Sequence, residues 1–283
     1  FVSAPNGILL ERAFGDPVFS QDRQNTRFDA IKGMFDKYQT FDFSDYDRDF
    51  NDLVLDSLDD QLGKQTSAQN VQYLLSSVNF DGFAISEEHS SGASKQFLYD
   101  NLATMKQNGV NVVMIEHFKQ AEIGDMLDAY MQMPPNTPMP EDLKAILTTI
   151  DRGHTGSESL MDLVRKIHDD PSCAGMRIVC GDTENNNAPN NPVNGYEVRM
   201  GAMNMVAEGN LRSELQPGEK FVILAGAAHN NTHLGLTNGM PGFSQVFGIP
   251  ALTVTARNGG DFDIQIDRED TTKRTAPTLA RNK

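Results

Sequence analysis

Between residues 80 and 267 the apolar positions change their period several times, and each change marks an element. Phe83-Ala84-Ile85 is a short apolar run that stops at Ser86-Glu87-Glu88-His89. Residues 92–107 follow with Phe97, Leu98, Leu102 and Met105 at helical spacing, and Asn108-Gly109 closes them. A β-branched run from Val110 to Ile115 then ends in Glu116-His117. Strand, helix and strand in so short a stretch form a βαβ unit, whose strands are expected to be parallel.

The same reading predicts helices over 119–132 and 141–150, separated by the Pro134-Pro135 to Pro140 loop. After a break at Asp151-Arg152-Gly153-His154, a capping box at Thr155 to Glu158 opens a helix with Leu160, Leu163, Val164 and Ile167 inward. Met176 to Cys180 is a third strand, 185–195 an Asn-rich loop, 197–208 a helix, and Phe221 to Ala225 a fourth strand leading to Gly226-Ala227-Ala228-His229. Leu252–Val254 and Phe262–Ile266 read as late, edge-like strands. The expected fold class is α/β, with a mainly parallel central sheet flanked by helices and a helical N-terminal segment. The expected organisation is an acidic, mainly helical segment at 1–79, an α/β domain at 80–267 and a flexible tail at 268–283.

Composition narrows the partners. The 283 residues carry 39 acidic against 24 basic side chains, a net charge of -15, which disfavours nucleic acid as the main partner. Nine aspartates between Asp36 and Asp60 hold much of the excess. Asp45, Asp47 and Asp49 alternate as in a calcium loop, but Phe50 stands where the turn glycine belongs and Asp56 where the loop needs Glu, so a solvated acidic segment is the better reading. Phe43, Phe50, Leu53 and Leu58 are its expected inward positions. No apolar run is long enough for a transmembrane helix. The start, Phe1-Val2-Ser3-Ala4-Pro5, lacks the pattern of a signal peptide, and the chain is expected to be part of a larger polypeptide. Cys173 and Cys180 make no disulfide framework, and Cys180 reads as a buried structural thiol.

Candidate chemistry gathers at the strand ends, where open α/β sheets bind ligands. Glu87 and His89, Glu116 and His117, Gly181-Asp182 and His229 follow predicted strands; Asp151, Arg152 and His154 sit at the break between helices. Four of the six histidines fall in these breaks. His168 lies on a helix beside Asp169 and Asp170 and reads as solvated surface. His117 on its own reads as non-functional, and His229 with His233 is a weak metal pair because Asn230-Asn231-Thr232 between them is a turn. Neither a serine-hydrolase elbow nor a phosphate loop is present.

In order, Ile85-Ser86-Glu87-Glu88-His89, Lys95-Gln96-Phe97-Leu98, Ile115-Glu116-His117-Phe118, Asp151-Arg152-Gly153-His154, Leu224-Ala225-Gly226-Ala227-Ala228-His229 and Met240-Pro241-Gly242-Phe243 resemble a domain of dermonecrotic-type bacterial toxins, including the second C-terminal domain of Pasteurella multocida toxin. That domain is similar to the superfamily of Tiki proteases, erythromycin esterases and the haem-binding ChaN proteins. The resemblance covers about residues 80–255. It implies a cleft in which Glu87 and His89 match the first motif, Glu116 the second and His229 the last. Ser86 departs from the usual glycine and is costly only if its φ is positive. The resemblance also implies secretion or delivery into a host cell as part of a toxin.

Two functions are open at this point. One is a hydrolase, peptidase- or esterase-like, acting on a host substrate. His89 would be the general base oriented by Glu87 or Glu116, with His229 and Arg152 stabilising an oxyanion and Asp151 and His154 supporting them. In a variant of this reading, His89 and His229 hold a divalent metal. The other function is a non-catalytic ligand-binding or scaffold module of a multidomain toxin.

Overall fold

The computed structural model describes residues 58–87, 92–151, 159–182, 195–230, 242–257 and 261–267. In chain order the main elements are α1 (Ser67–Gln72), β1 (Gly82–Glu87), α2 (Ala93–Gln107), β2 (Val110–Lys119), α3 (Asp125–Met131), α4 (Glu141–Asp151), α5 (Leu160–Asp169), β3 (Arg177–Asp182), α6 (Gly195–Glu214), β4 (Lys220–Gly226), α7 (Ala227–Asn230), α8 (Phe243–Phe247), β5 (Ala251–Ala256) and β6 (Phe262–Ile266). The fold is mixed α/β around one six-stranded sheet, in the order β3-β2-β4-β1-β5-β6. Every pairing is parallel except β5 with β6.

Both faces of the sheet are covered, which is why its central strands read as continuous apolar runs. On one face Phe83, Ile85, Val113, Ile115 and Leu224 pack into a large core with Phe97, Leu102, Leu127, Leu143 and Leu163 of α2, α3, α4 and α5. On the other, Ala84, Val112, Met114 and Ile223 pack against Ala207 and Leu211 of α6 and Phe243 of α8. α2 sets Phe97 edge-on to Phe262, with ring centroids 5.6 Å apart, and so ties the last strand to the helix that follows β1.

The β1-α2-β2 unit is parallel as expected, but its strands are not neighbours: β4 returns to lie between them. β2 also runs further than its apolar pattern, to Lys119, so Glu116 and His117 lie inside the strand. The helix expected over 119–132 is correspondingly shortened, to a π turn at Gln120–Gly124 and α3. α5 is capped by Ser159, whose hydroxyl accepts from the Asp162 backbone N–H, while the Thr155–Glu158 box lies outside the described residues. α6 extends to Glu214, six residues past the predicted end at 208. The strand expected at Phe262–Ile266 is the sheet edge, whereas β5 pairs on both sides.

One sequence expectation is reversed. His168 is buried, not solvated: its ring stacks on Tyr130 with centroids 4.0 Å apart, Nδ1 lies 2.5 Å from Asp169 Oδ1, and Nε2 lies 3.2 Å from the Met133 carbonyl. It continues the inward stripe of Leu160, Val164 and Ile167 by one position, and α3 closes over it. Leu58 is buried as expected; Phe43, Phe50, Leu53, the aspartate-rich stretch up to 57 and the tail from 268 lie outside the described residues.

Candidate active site

Because β1, β2 and β4 are parallel, their carboxyl ends open on the same edge of the sheet. Glu87 is the last residue of β1 and stands beside Gly226, the last of β4. The β2–β3 pairing shifts register between Ile115 and Lys119, where Glu116 and His117 sit. Such irregularities re-aim side chains at strand ends. Among the described residues the edge carries two carboxylate–imidazole pairs.

In the first pair, Glu87 Oε2 lies 2.9 Å from His117 Nε2, and both side chains are covered. They reach each other from β1 and β2 across the end of β4, where Gly226 contributes no side chain. Lys95, in the first turn of α2, places Nζ 3.8 Å from Glu87 Oε1 with its side chain only 3% exposed. Neither Glu87 oxygen makes an aligned hydrogen bond. Burial pushes the Glu87 carboxyl up to about 7; the Lys95 charge opposes that rise and the Glu116 charge adds to it.

In the second pair, Glu116 and His229 face each other, with Oε1 to Nε2 at 3.5 Å. The Gly226 backbone N–H donates to Glu116 Oε2 and holds the carboxylate. His229 lies on α7, immediately after β4, and its Nδ1–H donates to Asn204 Oδ1 of α6 at 2.6 Å. With Nδ1 bearing the proton, the neutral ring turns the Nε2 lone pair toward Glu116. His229 also lies over Phe243, ring centroids 6.5 Å apart.

A further network joins the C-terminal end of the sheet to this edge. The Ser86 hydroxyl donates to Asp267 Oδ2 and accepts from Asn230 Nδ2 at 3.2 Å; Asn230 Nδ2 also donates to the Ala225 carbonyl at 3.1 Å. Ser94 donates to the Ser86 carbonyl at 3.0 Å, so β1 and α2 are tied just before the site. Ser86 does not have a positive φ, so serine in place of glycine imposes no backbone strain.

Of the predicted site residues, Glu87, Glu116 and His229 come together here. His89, Arg152 and His154 lie outside the described residues. Asp151 is engaged elsewhere: its carboxylate accepts from the backbone N–H groups of Leu160 at 2.7 Å and Met161 at 3.4 Å, capping α5. His117, set aside in the sequence, is a member of the site, and Lys95, which belongs to the Lys95–Leu98 motif, was given no role there, nor was Asn204. Lys95 and Asn204 belong to helices whose spacing showed only their apolar face. Both cysteines are buried thiols, and burial pushes the Cys173 thiol up. Among the described residues no three His, Cys, Asp or Glu side chains converge to hold a metal ion. His89, the partner of His229 in the predicted metal pair, lies outside them.

The model of the Pasteurella multocida toxin C2 domain family matches residues 6–270. The chain is 26% identical over 254 residues to the multifunctional-autoprocessing repeats-in-toxin of Vibrio vulnificus, covering 89% of this chain and 5% of that protein. Its fold is that of RRSP, a MARTX toxin effector domain from Vibrio vulnificus CMCP6, with a TM-score of 0.69 and 24% identity over 98% of this chain and 56% of that one. The C-terminal region of Pasteurella multocida toxin, whose crystal structures reveal a thiol-protease like catalytic triad, matches with a TM-score of 0.61 and 19% identity over 90% of this chain and 33% of that one. The chain thus spans about half the length of the RRSP structure and a small part of the full toxin.

Proposed function

The chain belongs to the Pasteurella multocida toxin C2 domain family, and from that premise we propose that it is a host-delivered toxin effector domain that hydrolyses a peptide or ester bond at the end of strands β1, β2 and β4. The observation that carries the reading is the Glu116–His229 pair, anchored at both outer ends and facing inward across 3.5 Å. A carboxylate and an imidazole nitrogen that both accept leave room for the proton of an attacking water, and Asn204 fixes the tautomer that makes Nε2 the base. Glu87, whose carboxyl is pushed up to about 7, is the partner able to hold a proton at neutral pH and give it to a leaving group. His117 orients it. Unequal surroundings of this kind let two like groups take opposite roles.

Cysteine chemistry fits poorly, since both thiols are buried and the Cys173 shift opposes thiolate formation. The proposal moves the role of general base from His89, where the sequence suggests it, to His229, and leaves Arg152 its suggested role as an oxyanion contact. The expected kinship with Tiki proteases and erythromycin esterases is consistent with acid–base hydrolysis by carboxylates and histidines.

The test is to incubate the protein with a eukaryotic cell lysate and map new protein N-termini by mass spectrometry, beside Glu116→Gln and His229→Asn variants of matched folding. New termini made by the native protein and lost in both variants are expected. Identical termini in all three samples would refute the assignment.

A further inference from the structure

Lys95 is a buried charged group in this edge that the acid–base scheme leaves unused. Its side chain is buried, yet its ion pair with Glu87 is 3.8 Å long, beyond hydrogen-bond reach, and among the described residues its ammonium makes no hydrogen bond. A buried lysine kept for stability bonds its partner closely, because a loosely held charge does not recover its desolvation cost. Glu87, the carboxylate it faces, has both oxygens covered and neither in an aligned hydrogen bond. Buried polar groups without partners mark a place completed by something else.

Lys95 also stands at the wrong end of its helix. It is the third residue of α2, whose first turn holds no acidic residue and whose N-cap, Gly92, has no side-chain cap. A positive side chain beside the positive end of a fifteen-residue helix is unfavourable until an anion arrives. Lysine charge and helix end meet at one point beside Glu87.

We infer that Lys95 and the N-terminal turn of α2 form the oxyanion site of the cleft, receiving the negative oxygen of a tetrahedral intermediate. This rests on the hydrolase reading above. Water loses a proton to His229 Nε2 as its oxygen bonds to the carbonyl carbon, and the carbonyl π pair moves onto oxygen. Lys95 Nζ donates to that oxygen. On collapse the pair returns to form C=O, the bond to the leaving nitrogen or oxygen breaks, and the leaving atom takes the proton carried by Glu87.

The experiment has two arms, both on the full chain. In the first, turnover of 4-nitrophenyl acetate is compared for native protein, Lys95→Met and Lys95→Arg, with thermal melts to check folding. Loss of one donor to an oxyanion predicts a kcat fall of about 10²–10³-fold for Lys95→Met with KM changed less than twofold, and partial recovery in Lys95→Arg. A rise in KM alone overturns the inference. In the second arm, inorganic phosphate, a tetrahedral oxyanion, is titrated against protein labelled at lysine side-chain nitrogen. Saturable perturbation of the Lys95 signal, and at least tenfold weaker binding to Lys95→Met, are expected; no perturbation, or equal binding to the variant, overturns the inference even where Lys95→Met folds poorly, because the native signal alone decides. Lys95-dependent phosphate binding without any ester turnover would sink the hydrolase reading while leaving the anion site standing.

Discussion

Glu87 and His117 stand on strands separated by a third, yet their side chains meet at 2.9 Å over the glycine that ends it. The contact is buried on both sides, and burial is the largest cause of the raised Glu87 carboxyl.

That shift gives a pH prediction whose sign is fixed. The ordinary value is 4.5 and the folded value is about 7, so between those limits the folded protein holds a proton that the unfolded chain has released. The associated stability is complete below pH 4.5 and is lost as pH rises to about 7. The full loss is on the order of 3 kcal/mol. Glu87→Gln, which stays neutral, is expected to flatten this window and to be more stable than the native protein at pH 8. Urea unfolding from pH 4.5 to 8 checks it, and parallel curves for the two proteins would contradict the burial argument.

The same group predicts the alkaline side of the rate profile. If Glu87 delivers the leaving-group proton, kcat falls above about pH 7. The Lys95 charge opposes the rise at Glu87, so the residual activity of Lys95→Met should decline at a higher pH than that of the native protein. A pH–rate profile of each measures this, and a limb that does not move would detach Lys95 from Glu87.

Asp151 separates a cap from a catalyst. The sequence places it beside Arg152 and His154, but its carboxylate closes the first turn of α5 through Leu160 and Met161. Asp151→Ala is expected to cost about 1 kcal/mol of stability, as loss of a helix cap does, with kcat close to native. Thermal melts beside turnover rates distinguish the two; a hundredfold loss of kcat at unchanged stability would return Asp151 to the reaction.

These cases show what the sequence carries. Strand cores such as Phe83–Ile85 and Phe221–Ala225 were legible because strands buried on both faces are unbroken apolar runs. Glu87, Glu116 and His229 were legible because each breaks or follows such a run. The return of β4 between β1 and β2 was not, since strand order leaves no periodic trace, and with it went the Glu87–His117 contact. Lys95 and Asn204 were hidden for a related reason: on a helix, one inward polar residue looks like solvated surface until the neighbouring element is in place. His168 misled in the same way, being a polar residue on a buried stripe.

Gly181 supplies the last test, because it reaches the site only through backbone. It lies on β3 directly against β2, and a Cβ built there would sit 3.0 Å from Glu116 Cα, 3.1 Å from the Ile115 carbonyl oxygen and 3.2 Å from Glu116 N. None of these atoms belongs to a flexible side chain, so in Gly181→Ala it is the strand that must give. The displacement falls on the residue whose carboxylate has to remain aligned with His229 while held by the Gly226 N–H. Overpacking of this kind costs about 1–3 kcal/mol. The larger effect is expected in turnover, since misplacing a reacting group by a fraction of an ångström to one ångström reduces rate by up to about 10²-fold. The variant should therefore lose kcat well beyond its loss of stability and keep its KM. Full kcat in a destabilised Gly181→Ala protein would mean that the position of Glu116 does not govern the reaction.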